Sequence, residues 1–429
     1  LGSLTEAVKA QSSVEAEWSR LKKIFASPQL QMVSFTITEK GYALRDAKGE
    51  YFPFIRSDID NGPDKASSAM AVVSALLYER FNTCKAPLAV VSMDNCSHNG
   101  EKLRNSITDM VGEWQKKGFV SEDFVQYVND ENTISFPWSM IDKITPRPAD
   151  TVAESLKEAG VEDMDPVITS KRTYIAPFVN AEGPQYLVIE DRFPNGRPQL
   201  EKAGVYMTDR DTVNKVERMK VTTCLNPLHT ALAVYGCVLG YDLIADEMKD
   251  KELSELVKRI GLVEGMPVVT NPGIIDPEKF ADEVINVRIP NPFMPDTPQR
   301  IATDTSQKVG IRYGETIKSY VAKDGSARAL TAIPLAIAGW CRYLLGIDDN
   351  GEAFELSPDP MADELKCQLD GIVWGESSSY TGQLKNLLSN ANIFGINLYE
   401  AGIGDKIEEM FVEEISGKGA VRETLKKYF

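Results

Sequence analysis

Histidine is nearly absent from this sequence: only His98 and His229 occur among 429 residues. An excess of positive charge is missing too, since 47 basic side chains stand against 63 acidic ones for a formal net charge of −16. That balance excludes the clustered Lys and Arg surfaces that hold nucleic acid or an anionic membrane. No run approaches the ~18 apolar residues of a membrane span, and no signal peptide is visible, so a cytoplasmic globular protein is expected. The six cysteines (84, 96, 224, 237, 341, 367) lack the paired spacing of a disulfide framework or a zinc site. They are expected to be buried free thiols, and no metal is expected. His98 beside Cys96 supplies two ligand types without further partners. A glycine-rich phosphate loop is also absent. The nearest stretches, DNCSHNG (94–100) and TNPGIIDPEKF (270–280), lack the glycine spacing.

What is present divides in two. LQMVSFTIT (30–38) and APLAVVSMDN (86–95) read as strands, and ASSAMAVVSALLYERFN (66–82) and GEKLRNSITDMVGEWQKKG (100–118) as helices. Apolar strands alternating with helices predict an α/β half built on a parallel sheet covered on both faces. Ligands of such sheets sit outside the carboxyl ends of the strands, which puts MDNCSHNG at a site edge. From about residue 205 helices dominate, with 227–250, 251–261, 331–346, 361–369 and 380–391 expected. The expected domains are therefore 1–205 and a mainly α-helical 206–429. The opening LGSLTEAVKAQ reads as the middle of a domain, so the natural chain is expected to begin earlier.

The apolar segment VERMKVTTCLNPLHTALAVYGC (216–237) carries Lys220, Asn226 and His229 within ten residues. A lysine snorkelling from a helix end and a histidine satisfied in the core would be the ordinary reading of either alone. Together they suit carbonyl–alcohol interconversion. An amine kept in apolar surroundings loses its preference for the charged form and can exchange a proton with an alcohol. An amide N–H stabilises charge on a carbonyl oxygen, and a neutral imidazole orients the substrate. Asn226-Pro227 reads as a helix start, with Asn as N-cap and Pro at the first helical position. In one regular helix Lys220 and His229 would lie ~180° apart. A break or π-bulge between Thr223 and Pro227 is therefore predicted.

These residues, with TITEKGYAL (36–44), SMDNCSHNGEKL (92–103), SFPWSMIDKITPRP (135–148), VIEDRFPNGRP (188–198), RIPNPFMPDTPQRIATDTSQK (288–308) and AGWCRYLLGIDDNGEAFELSPDPMADEL (338–365), resemble the long-chain polyol/mannitol dehydrogenase family. The resemblance runs from about residue 30 to about 370, in family order. It implies a Rossmann-type domain followed by a helical substrate domain, and metal-independent hydride transfer between NAD or NADP (NAD favoured) and a small sugar alcohol or sugar acid. The family's glycine-rich first turn would lie upstream of the matched residues, leaving the α/β domain without its first βα unit here. Position by position, Lys220 resembles the family's catalytic lysine, Asn226 its oxyanion-hole amide and His229 its substrate-orienting histidine. Asp191 and Arg300 match substrate contacts, and Asp94 and Asn95 a segment near the nicotinamide.

Two departures stand out. The lysine-to-asparagine separation is one residue longer than usual, and Trp138 stands where polyol oxidisers carry a second oxyanion-hole asparagine. Trp138 turns the reading towards the hexuronate branch, the fructuronate and tagaturonate reductases, where a substrate carboxylate needs a cation. Arg300, Arg312 and Lys143 are available, an arginine fork matching a carboxylate best. A mannitol-type polyol 2-dehydrogenase is the alternative, and a non-catalytic sugar-acid or nucleotide-binding protein the alternative of another class.

Overall fold

The computed structural model describes residues 4–46, 48–143, 145, 148–169 and 172–429. Ile144, Pro146 and Arg147 of the SFPWSMIDKITPRP stretch lie outside them. By contact the chain forms two compact units: residues 1–143 with 185–214, and 144–184 with 215–429. The strands in chain order are β1 (Met32–Phe35), β2 (Leu88–Ser92), β3 (Ile134–Ser135), β4 (Ser139–Asp142), β5 (Val167–Ile168), β6 (Tyr174–Ile175), β7 (Tyr186–Glu190) and β8 (Tyr206–Thr208).

In the first unit β1, β2 and β3 pair in that order, all parallel, with Met32 opposite Ala89 and Leu88 opposite Ile134. Helix Ala69–Thr83 connects β1 to β2, and helices Asn99–Lys116 and Glu122–Asn129 connect β2 to β3. All five residues of β2 are buried, as a strand covered on both faces requires. Alternation divides them: Leu88 and Val90 join a core with Leu77, Ile107, Trp114 and Phe124, while Ala89 and Val91 pack with Ile189 of β7. A second sheet places β4 antiparallel to β7, and β7 parallel to β8. Arg80, fully buried, donates to five carbonyls, those of Phe25, Ser27, Leu30, Ala86 and Pro87, at 2.7–3.2 Å. One guanidinium with five donors thus satisfies the loops that lead into β1 and β2.

The second unit is helical, with a short β5–β6 hairpin. Its central helix, Asn226–Leu239, is buried from Pro227 to Val238 except at His229. It packs against Ala332–Tyr343, whose twelve residues are all buried. Gly339 permits the close approach, since a Cβ there would lie 2.5 Å from the Tyr235 ring. The helix expected over 227–250 ends at Gly240, whose φ of 79° closes it as a left-handed C-terminal residue. The helix expected over 380–391 is not formed; short turns at Ser377–Ser379, Lys385–Leu388 and Ala391–Phe394 take its place. Among the described residues, four π-turns interrupt this unit, at Lys220–Cys224, Arg259–Gly265, Val284–Arg288 and Gly310–Gly314.

Candidate active site

Lys220 opens the π-turn Lys220–Cys224 and is 3% exposed. The Leu225 N–H returns to the Lys220 carbonyl at 3.1 Å, an i→i+5 bond. Leu225 then leaves helical geometry (φ −133°, ψ −63°), and a new helix starts at Asn226. The break falls inside the predicted Thr223–Pro227 interval, with the widened turn just before it. One detail differs: Leu225 occupies the cap position, Asn226 is the first helical residue and Pro227 the second. Pro227 lacks the N–H that would continue the preceding helix, which is why the chain restarts here. A wide turn needs more residues per revolution, so Lys220 and His229 no longer take the opposed positions of a regular helix.

Asn226 and His229, three residues apart, share a side of the new helix. Both are half-buried, and no described residue hydrogen-bonds the Asn226 side-chain amide. The turn is braced from outside. Thr316 Oγ1 donates to the Thr222 carbonyl at 3.2 Å, and the Tyr313 hydroxyl to the Pro227 carbonyl at 2.9 Å. Thr230 Oγ1 donates to the Asn226 carbonyl at 3.0 Å and accepts from Arg312 Nη1. Arg312 sits in the π-turn Gly310–Gly314, half-buried, and no carboxylate among the described residues pairs with it. Burial lowers its guanidinium to about 10, and burial, followed by the charge of Arg312, lowers the Lys308 ammonium.

His229 lines a small cavity with Leu225, Ile244, Arg288, Ile289, Met294 and Asp296. On its wall Arg288 makes a forked ion pair with Glu182, Nε to Oε2 at 2.9 Å and Nη2 to Oε1 at 2.8 Å, both side chains almost fully buried. Arg300 lies outside, 63% exposed at the side chain and ion-paired with Asp296. Cys224 and Cys237 are buried, and burial pushes both thiols up to about 12, so neither is a thiolate at neutral pH. All six cysteines are free, but only Cys224, Cys237 and Cys341 are fully buried, and Cys367 is exposed.

In the first unit, Asp94 and Asn95 follow β2 at its carboxyl end. Asp94, 6% exposed, accepts from the Ile37 N–H at 3.0 Å, the Thr38 N–H at 2.8 Å and the Tyr42 hydroxyl. Its carboxylate therefore ties the loop after β1 to the loop after β2. Asn95 is exposed. Helix Asn99–Lys116 begins at this edge, where the Asn99 side-chain amide donates to the Asp94 backbone carbonyl at 3.0 Å. Gly100 lets it sit close, since a Cβ there would lie 2.7 Å from the Phe136 carbonyl. Trp138 stacks on His98 with ring centroids 4.5 Å apart, and the Arg210 guanidinium lies 5.4 Å from its ring. Asp191 is held by a fork from Arg197, at 2.7 and 2.8 Å, which keeps its carboxyl below the usual range. Lys143 donates to the Gln185 side chain at 3.0 Å.

Sequence reasoning missed Thr230, Tyr313, Thr316 and the Glu182–Arg288 pair. No local pattern marks them, because each acts through a partner distant in sequence.

The chain matches two family models, the mannitol dehydrogenase Rossmann domain over residues 3–202 and the mannitol dehydrogenase C-terminal domain over 212–414. It is 54% identical over 430 residues to a D-mannonate oxidoreductase of Thermotoga maritima, spanning all of this chain and 79% of that one. A mannitol 2-dehydrogenase of Phaeosphaeria nodorum is 29% identical over 374 residues, 86% of this chain and 60% of that protein. Among solved structures, the Pseudomonas fluorescens mannitol 2-dehydrogenase ternary complex with NAD and D-mannitol aligns with a TM-score of 0.65 at 26% identity, covering 97% of this chain and 77% of that one. A substrate-free D-sorbitol dehydrogenase aligns with a TM-score of 0.72 at 26% identity, covering 93% and 77%.

Proposed function

The chain belongs to the mannitol dehydrogenase family, and from that premise we propose that it is an NAD(P)-dependent oxidoreductase interconverting a keto-hexuronate with the corresponding aldonate. Mannonate and its keto partner fructuronate are the favoured pair, because the 54% identical relative is named for mannonate; tagaturonate is the other substrate to test. The observation that carries the reading is the buried Lys220 at the head of a π-turn leading into a helix that presents Asn226 and His229 on one side.

The nicotinamide cofactor, when bound, supplies or takes up the hydride. Its residues fit in part: the carboxyl ends of β1 and β2, the loop fastened by Asp94 and followed by Asn95, and the start of helix Asn99–Lys116 form a strand–helix edge of the kind dinucleotides use. A glycine-rich turn does not occur among residues 1–429. In reduction, the Lys220 Nζ gives a proton to the carbonyl oxygen as that oxygen becomes a hydroxyl, and in oxidation it takes the proton back. Asn226 donates its amide N–H to the same oxygen. His229 orients the substrate by hydrogen bonding. Asp191, oriented by Arg197, is the proposed acceptor for a substrate hydroxyl. The carboxylate requires a cation, for which Arg300 and Arg312 are the arginines in question. Free thiols throughout suit a reducing compartment, and we place the protein in the cytoplasm. No helix among the described residues is long and apolar enough to cross a membrane.

The test mixes the full-length protein with NADH or NADPH and, in turn, fructuronate, tagaturonate and fructose, following absorbance at 340 nm. Consumption with a hexuronate at least tenfold faster than with fructose supports the proposal. Preference for fructose returns the mannitol-type reading. Ligand binding without turnover of any substrate gives the binding-protein reading.

A further inference from the structure

We propose that Arg312, held by Thr230 against the helix bearing Asn226 and His229, receives the substrate carboxylate and thereby separates hexuronates from neutral sugars. This rests on the hexuronate reading above and assigns the residue that enforces it. Three cations were open from sequence. Lys143 is engaged with Gln185. Arg300 is 63% exposed at its side chain and neutralised by Asp296. Arg312 is half-buried and has a hydroxyl, not a carboxylate, as its side-chain partner among the described residues.

A cation taken out of water without a counter-ion is costly to the fold. An incoming carboxylate removes that cost and gains charge-assisted hydrogen bonds, so affinity at this position goes to anions. The second cation nearby, Lys308, donates to the Thr303 carbonyl at 2.6 Å and adds to the positive potential.

The hydrogen-bond chain also sets distance and direction. Thr230 has one hydroxyl, whose proton goes to the Asn226 carbonyl and whose oxygen accepts from Arg312 Nη1. The guanidinium is thereby oriented with its remaining donors uncommitted to Thr230. Residues 226 and 230 are one helical turn apart, about 6 Å along the axis. A keto-hexuronate carries its carbonyl at C2 and its carboxylate at C6, a four-bond span of comparable length. With the carbonyl oxygen at Asn226, the carboxylate is assigned to the donors of Arg312 that Thr230 leaves open on the same helix. A neutral ketose places a hydroxymethyl group there instead and leaves the guanidinium uncompensated.

The experiment compares kcat and KM of the full-length enzyme and its variants for fructuronate and for fructose, its neutral counterpart. Arg312→Gln is expected to lose about 100-fold in kcat/KM on fructuronate, mostly through KM, and less than about threefold on fructose. Arg312→Lys, which keeps a point charge without the fork, falls between. Thr230→Val keeps the cation but removes its orientation; any loss from the slackened Asn226 turn falls on both substrates alike, and KM for fructuronate rises about tenfold more than KM for fructose. It serves as the deciding variant if Arg312→Gln does not fold. Equal losses on both substrates, or none on either, overturn the assignment. A wild-type enzyme that turns over no hexuronate instead overturns the functional reading on which it rests.

Discussion

The Tyr313 hydroxyl donates to the carbonyl of Pro227 across 86 residues of sequence, at 2.9 Å, with both residues buried. Arg312, the preceding residue, holds Thr230. The π-turn Gly310–Gly314 therefore grips the start of the Asn226–Leu239 helix at two points. Tyr313→Phe leaves a buried carbonyl without its donor, a loss of about 1–3 kcal/mol. Urea unfolding is expected to show that drop with an unchanged slope, together with a several-fold lower kcat. A variant as stable and active as the parent would mean the grip is incidental.

Lys220→Ala is expected to lower kcat by roughly three orders of magnitude or more, as removal of a general acid–base group does when orientation is kept. Lys220→Met, closer in volume, is expected to do the same while holding the melting temperature within a few degrees. Retention of even a tenth of parental turnover by the Met variant would assign Lys220 to packing.

Two glycines give opposite expectations. At Gly314 an added Cβ would lie 1.8 Å from the Phe394 carbonyl, backbone against backbone. Gly314→Ala must push the Gly310–Gly314 turn off segment 393–394, and is expected to cost about 3 kcal/mol or yield insoluble protein. Gly112 lies inside helix Asn99–Lys116 with nothing within 4 Å of the new methyl. Gly112→Ala is expected to stabilise by about 0.5–1 kcal/mol. Thermal scans of both variants decide, and equal effects would contradict the packing described for Gly314.

Behind the central helix, the Glu414 carboxyl meets the Tyr235 hydroxyl at 2.6 Å, and Arg342 Nε donates to the Glu414 backbone carbonyl at 3.2 Å. Burial pushes the Glu414 carboxyl up to about 8 against an ordinary value of 4.5, with Arg342 lowering it and Asp349 and Glu413 raising it. Between those two pH values the folded chain holds a proton that the unfolded chain has released. This contribution to stability is full below the lower value and declines as pH rises towards the upper, by up to about 1.4 kcal/mol per unit. Glu414→Gln is expected to flatten the fall in urea midpoint between pH 5 and 8. An unchanged pH profile in that variant would remove Glu414 as its source.

Much of the candidate site was proposed from sequence because it is local. Lys220, Asn226, Pro227 and His229 fall within ten residues, and helical periodicity alone demanded an interruption between the first and the last. β2 announced itself by five consecutive apolar or small residues, the pattern of a strand buried on both faces. The bracing was not readable. Glu264 accepts from the N–H groups of Thr331, Ala332 and Ile333 at 2.7–2.9 Å, and so caps a helix 67 residues away. Asp349 accepts from Val421 and Arg422 and does the same for helix Ala420–Tyr428. Both are ordinary acidic residues in sequence, and only their position across the fold makes them caps.

The sequence by itself determined strand β2, the interruption between Lys220 and His229 and the gathering of three polar groups in an apolar segment, since periodicity and composition act over a few residues. The tertiary structure decided that Arg312 has a hydroxyl and no carboxylate as its side-chain partner among the described residues, how the chain divides into two units, and what holds the π-turns. Those depend on which distant side chains meet, and no local pattern encodes that a guanidinium at position 312 will close on a hydroxyl at position 230.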